Sequence, residues 1–325
     1  MIMMMTVRVK SVEPPHLLTQ ASPMTSGSLA IITCRMLIRF QHLKRLSLSR
    51  LPRITDFVTS QSQQSFGSEV QSLSLDNCTE YSDIQLSLVF SWFPRLTYIR
   101  LDSCGITDKG LEALEKCCSS LETVHLPRCY SITDLGISFL VQNCRELRSL
   151  CIDSCINITG IGFLECAHTL ASLEAGGCKL KPEGINAIVS GGGLKYLCLK
   201  RLDEFEVEEG FAKVEERFAE VEQECINTEA VIMISKGCPS LKELFLSNCE
   251  EVELEGWEAI GQNCKELESL FLTGCQKLCD AGLQALCDGC NKFSILYVDS
   301  RKNSCSDSAL ELFERTKPGV MCLWP

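Results

Sequence analysis

No stretch of this 325-residue sequence stays apolar for long enough to cross a bilayer, which takes roughly 20 residues as a helix. The start, Met1-Ile2-Met3-Met4-Met5-Thr6-Val7-Arg8, has only a handful of apolar residues before Arg8 and Lys10, too few for the core of an export signal. Cations are in deficit: 31 Lys and Arg stand against 42 Asp and Glu, a formal charge of −11. Nucleic acid and anionic membrane both need clustered Lys and Arg to release counterions, so neither is an expected partner and a protein is the default. Histidine is scarce too. His16, His42, His125 and His168 are too scattered to suggest a metal centre or acid–base pair, and no cofactor is expected.

Cysteine, by contrast, is abundant at 22 residues. In an exported chain this would mean a disulfide framework. Without an export signal in view, the expectation is reduced thiols in a cytoplasmic or nuclear protein, not a secreted one.

The pattern L-x-x-L-x-L-x-x-C recurs about every 26 residues. It is complete in Leu96-Ile99-Leu101-Cys104, Leu121-Val124-Leu126-Cys129, Leu147-Leu150-Ile152-Cys155, Leu241-Leu244-Leu246-Cys249 and Leu267-Leu270-Leu272-Cys275. Weaker copies begin at Leu43, Val70, Leu170, Leu194 and Phe293. After the cysteine comes a turn such as Gly105-Ile106-Thr107-Asp108, Ser131-Ile132-Thr133-Asp134 or Asn157-Ile158-Thr159-Gly160, then apolar residues at helical spacing. The Thr or Asp of that turn supplies the helix N-cap. Each unit is thus one short strand and one helix, unable to bury its apolar side without neighbours. The implied fold is α/β: a leucine-rich-repeat solenoid of about 10–11 repeats, an open horseshoe with parallel strands on the concave side and helices on the convex side. A second cysteine ends many helices, at Cys118, Cys144, Cys166, Cys238, Cys264 and Cys290, so most thiols occupy positions that call for a small buried side chain.

The cysteine-bearing repeat with its Ile-Thr-Asp turn resembles plant F-box/LRR-repeat proteins. The likeness extends over roughly residues 30 to 300, through Ile158-Thr159-Gly160-Ile161-Gly162-Phe163, Pro182-Glu183-Gly184-Ile185, Ser190-Gly191-Gly192-Gly193, Gly256-Trp257-Glu258-Ala259-Ile260 and Leu278-Cys279-Asp280-Ala281-Gly282-Leu283. The resemblance implies a substrate-recognition part of an SCF ubiquitin ligase acting in ubiquitin-dependent protein catabolism, with a protein substrate on the concave face. A Skp1-like adaptor is implied only where an F-box lies upstream. Residues 1–27 show no helical periodicity, read as disordered and carry no visible F-box. Repeats fill residues 28–202 and 225–299, and 300–325 form a cap and tail. Residues 203–224 depart from the repeat, with ten carboxylates against two basic residues and apolar positions Phe211, Val214, Phe218 and Val221 at helical spacing. This is an acidic amphipathic insert or a degenerate repeat, and a helix replacing one regular repeat is expected. A solvated acidic face outweighs a docking helix.

Strand neighbours alternate faces, so the residue between the two strand leucines lies on the concave surface. In order these are Ser47, Ser74, Arg100, His125, Cys151, Glu174, Cys198, Phe245, Phe271 and Tyr297. The last three are aromatic and should stack, with Glu243, Ser269 and Asp299 among their flanks. An exposed aromatic row with a polar rim suits a protein partner, unless the tail Val320–Pro325 folds back over it. The other half of the row, Tyr98, Arg100, Asp102 and His125, is polar and ranks second as a binding face. No catalytic role is assigned, because nothing supplies a nucleophile or metal beside His125. Cys275, Cys279, Cys287 and Cys290 have zinc-like spacing but include two repeat positions, and Ser190-Gly191-Gly192-Gly193 lacks the Lys-Ser/Thr of a phosphate loop and reads as a turn. A monomeric binding scaffold is the expected form. A stand-alone competitor that joins no ligase, or a small-molecule hormone sensor, are the alternatives.

Overall fold

The computed structural model describes residues 43–49, 69–79, 81–166, 168–200, 226–247, 249–298 and 304–323. The chain divides into two compact units, one ending at Cys151 and the other starting at Ile152. The expectations for residues 1–27 and for a helix in 203–224 fall outside the described residues, as does Asp299.

In the first unit, β1 (Arg45–Ser49), β2 (Ser72–Asp76), β3 (Tyr98–Asp102), β4 (Thr123–His125) and β5 (Ser149–Cys151) pair in chain order, all parallel. Leu46, Leu73, Ile99, Val124 and Leu150 share one register line. Equivalent positions of successive repeats therefore stack on one another, and a sequence row becomes a spatial row. Between strands lie α1 (Asp83–Ser91), α2 (Asp108–Cys117) and α3 (Asp134–Asn143). Leu73, Leu86, Ile99, Leu101, Leu111, Leu114, Val124, Ile137 and Leu140 are fully buried between strands and helices. Each such side chain contributes roughly 1.5–3 kcal/mol relative to exposure.

The second unit has a short 3₁₀ turn (Ile161–Phe163), then β6 (Ser172–Glu174), α4 (Pro182–Ser190), β7 (Tyr196–Leu199), α5 (Thr228–Gly237), β8 (Glu243–Ser247), α6 (Leu254–Asn263), β9 (Ser269–Thr273), α7 (Asp280–Gly289), β10 (Ile295–Val298), α8 (Asp307–Thr316) and β11 (Met321–Leu323). Its strands are again parallel and in chain order. Both units have the repeating strand–helix construction of a leucine-rich-repeat fold.

Local chemistry sets the element boundaries. Thr107 and Thr133 accept hydrogen bonds from Lys109 N and Leu135 N and cap their helices, as the sequence implies. The aspartate that follows the N-cap residue and opens the helix has a second role. Asp83 accepts from the Thr107 amide (2.9 Å) and hydroxyl (2.6 Å), Asp108 accepts from the Thr133 amide (2.8 Å) and hydroxyl (2.7 Å), and Asp280 accepts from the Ser306 amide and hydroxyl. One helix start thus holds the next. Gly136 makes room for this link: its amide donates to Asp108 Oδ1 at 3.1 Å, and a Cβ there would sit 2.5 Å from the same oxygen.

The strand-end cysteines are buried, and they do more than fill space. The Sγ–H groups of Cys104, Cys129 and Cys178 point to the carbonyls of Leu75, Leu101 and Ile152 in the preceding repeat, at 3.2, 3.0 and 3.2 Å. A thiol is apolar enough for the core yet still a weak donor to a carbonyl there. Cys118, Cys144, Cys238, Cys264 and Cys290 occupy helix C-caps. Burial pushes these five thiols, and Cys129, up to about 12 from an ordinary 9.0.

One expectation changes here. The turn Asn157–Gly160 leads into a single 3₁₀ turn where a helix is expected. Gly160 stands where two other repeats have Asp, at φ 93°, and a Cβ there would lie 2.9 Å from Gly184 Cα, so no acidic side chain opens a helix here. β7 pairs in register with β8, Leu197 with Leu244 and Leu199 with Leu246, so the strand before the acidic segment and the strand after it are ladder neighbours. The tail does not fold back over the aromatic row, because Met321–Leu323 extends the ladder beside β10, with Leu323 opposite Tyr297.

Candidate functional site

Strand pleating buries every second residue of each repeat and leaves the residues between them on one outward face. In the first unit this face carries Ser47, Ser74, Arg100 and His125, aligned by register. The Tyr98 ring leans on His125 at 5.5 Å. Asp102 was expected as a contact residue, but it is only 5% exposed. Arg100 Nη2 lies 2.6 Å from Asp102 Oδ2, and Arg128 Nη2 reaches both carboxylate oxygens at 2.8 and 2.9 Å. Asp102 is therefore a buried anchor, and solvent meets the half-buried guanidiniums above it. Leaving that carboxylate unpaired in the interior would cost more than its exposure could return, so its pairing follows from its burial.

In the second unit the outward row runs Glu174, Cys198, Phe245, Phe271 and Tyr297, each opposite the next. Phe245 and Phe271 stack at 4.3 Å between centroids with planes 4° apart, close to the roughly 4.8 Å between ladder strands. Tyr297 follows at 6.0 Å and 25°. All three rings are half-buried. Glu243 is half-buried in register with Ser269, whereas Ser269 is 9% exposed and forms floor, not rim. It stands in register between Glu243 and Ile295.

A fourth ring joins this row. Tyr196, in register with Glu243, lies 5.3 Å from Phe245 at 42°. It holds the same strand position as Tyr98, one residue before the first strand leucine, and attention to that column as well as the central one would have found it. Burial, with Cys198, Glu174 and Glu243 nearby, holds its hydroxyl protonated well above the ordinary phenol range. The outcome is an apolar strip of four rings across β7, β8, β9 and β10, bordered by carboxylates. Such a strip can bury an apolar segment of another molecule. Cys275 at a strand end, Cys279 at a helix N-cap, Cys287 within α7 and Cys290 at its C-cap occupy four separate repeat positions.

Residues 38–179 match the family model described as At1g61320/AtMIF1, LRR domain. The chain is 42% identical over 240 residues to F-box/LRR-repeat protein 12 of Arabidopsis thaliana, which takes in 72% of this chain and 60% of that protein's length. It therefore spans less than two thirds of this relative. Among solved structures, TLR13 in its complex with ssRNA13 superposes with a TM-score of 0.58 at 15% identity, over 88% of this chain and 36% of that one. The yeast Rad7 and Elc1 complex gives 0.51 at 18% identity, over 88% and 75%. At these identities the two structures establish the fold. No helix among the described residues is long and apolar enough to cross a membrane.

Proposed function

We propose that this chain, which has a leucine-rich-repeat fold and is similar to an F-box/LRR-repeat protein, recognises a protein substrate for a ubiquitin ligase through the strand face of its second unit. The carrying observation is the strip of Tyr196, Phe245, Phe271 and Tyr297, large rings held in register and half open to solvent. Aromatic anchors with a polar surround dominate the energetics of protein interfaces. Similarity to an F-box/LRR-repeat protein supports the ligase context, in which a Skp1-like adaptor would engage an F-box and the repeats would hold the substrate.

Proximity labelling with the parent chain and with Phe245→Ala and Phe271→Ala variants tests this reading. We expect at least one protein to be labelled by the parent, to be lost from both variants while their circular dichroism is unchanged, and to be degraded more slowly when the adaptor is depleted. Equal labelling by all three chains would contradict the site. Degradation indifferent to the adaptor would contradict the ligase role.

A further inference from the structure

We infer that the Tyr196 end of the aromatic strip receives a basic side chain, arginine or lysine, from an extended protein segment whose neighbouring apolar residues lie along Phe245, Phe271 and Tyr297. This rests on the strip being the docking surface and adds the chemical class of what docks there.

Charge and register carry the inference. Tyr196 and Cys198 of β7 stand between Ser172 and Glu174 of β6 on one side and Glu243 and Phe245 of β8 on the other. Two carboxylates thus border one ring, each on an adjacent strand and each half-exposed. A carboxylate oxygen of Glu174 also lies within 4.8 Å of one of Asp153, which is buried and accepts from the Gly176 amide at 2.8 Å. Three glutamates near the same strands are matched within the chain: Glu268 with Lys242 at 2.7 Å, Glu266 with Lys292 at 2.5 Å, and Glu253 with Lys277 at 3.0 Å. Among the described residues Glu174 and Glu243 make no ion pair, and Lys242, adjacent to Glu243 in sequence, is taken by Glu268.

Negative charge therefore gathers where the strip begins, and ring faces add a negative quadrupole to it. A guanidinium or ammonium group placed there meets carboxylates and aromatic rings together, a pairing stronger in a partly desolvated site than in water. An anionic segment would be repelled at the same place. A neutral apolar segment could use Phe271 and Tyr297 but would leave both carboxylates partly desolvated and unpaired.

The test uses the full chain and fluorescence anisotropy with three synthetic peptides in which leucine alternates with arginine, with citrulline or with glutamate. Citrulline keeps the shape of arginine and removes its charge. The parent should bind the arginine peptide roughly ten-fold more tightly than the citrulline peptide, and the glutamate peptide least. A Glu174→Gln/Glu243→Gln variant should bind the arginine peptide about five-fold or more weakly, leave citrulline binding unchanged and keep the parent's thermal midpoint. Equal binding of the arginine and citrulline peptides, an undiminished preference in the double variant, or no binding of the arginine peptide overturns the inference. Phe271→Ala separates the two levels: it should weaken both peptides, and if it weakens neither, the docking role of the strip fails whatever the charge preference.

Discussion

At the residue scale, side-chain hydrogen bonds tie the start of one helix to the start of the next. Thr107 and Thr133 were legible as caps because capping depends on residues close in sequence. The grip of Asp108 on Thr133, a repeat later, was not, since only stacking brings them together. Gly136→Ala should destabilise the chain by about 1–3 kcal/mol, because its Cβ would collide with Asp108 Oδ1. Asp108→Ala should cost a similar amount through the unsatisfied Thr133 donors. The double variant should lose less than the sum, and urea midpoints of the four proteins measure the coupling. Additive losses would mean that the two residues do not act as one link.

The thiols give a residue-scale prediction in pH. Cys118, Cys129, Cys144, Cys238, Cys264 and Cys290 are pushed up to about 12 in the folded chain by burial, against an ordinary 9.0. Unfolded thiols therefore ionise first as pH rises. Their contribution is fully present below pH 9 and is lost between pH 9 and 12. Urea midpoints should fall steeply across that window, and less steeply in a Cys144→Ala/Cys264→Ala variant. At these six positions the thiol serves as a small buried side chain, a use that calls for neither disulfide nor metal.

At the scale of elements, the leucine columns made strands and helices readable. Period and spacing carry that information directly, and equivalent residues occupy equivalent places along each ladder. One element escaped this reading. Before the 3₁₀ turn at Ile161–Phe163, Gly160 comes too close to Gly184 of the following repeat for either to carry a Cβ, and spacing along the sequence does not show that approach. On either side of the acidic segment the ladder continues, since β7 pairs directly with β8. Replacing residues 203–224 with a six-residue Gly/Ser loop should therefore leave unfolding cooperative and stability within about 1 kcal/mol, the scale of the loop-closure change. Loss of cooperativity, followed by urea denaturation, would show that the ladder depends on the segment.

For the whole molecule, the candidate site was partly legible. The central column gave Phe245, Phe271 and Tyr297 because alternation along a strand is strict. Tyr196 was missed one column away, and Asp102 was placed on the surface because sequence does not show that Arg100 and Arg128 close over it. A net charge of −11 favours a protein partner over a phosphate-bearing one, and the repeats supply a regular frame on which four rings from distant parts of the sequence become one strip. The most direct measurement is the affinity of a labelled partner, once purified, for the parent, for Phe271→Ala and for Ile84→Ala, whose side chain is 84% exposed on α1 of the other unit. A loss of about ten-fold or more in Phe271→Ala alone is the predicted result. Equal affinity for Phe271→Ala and the parent would contradict the claim that this strip is the binding surface.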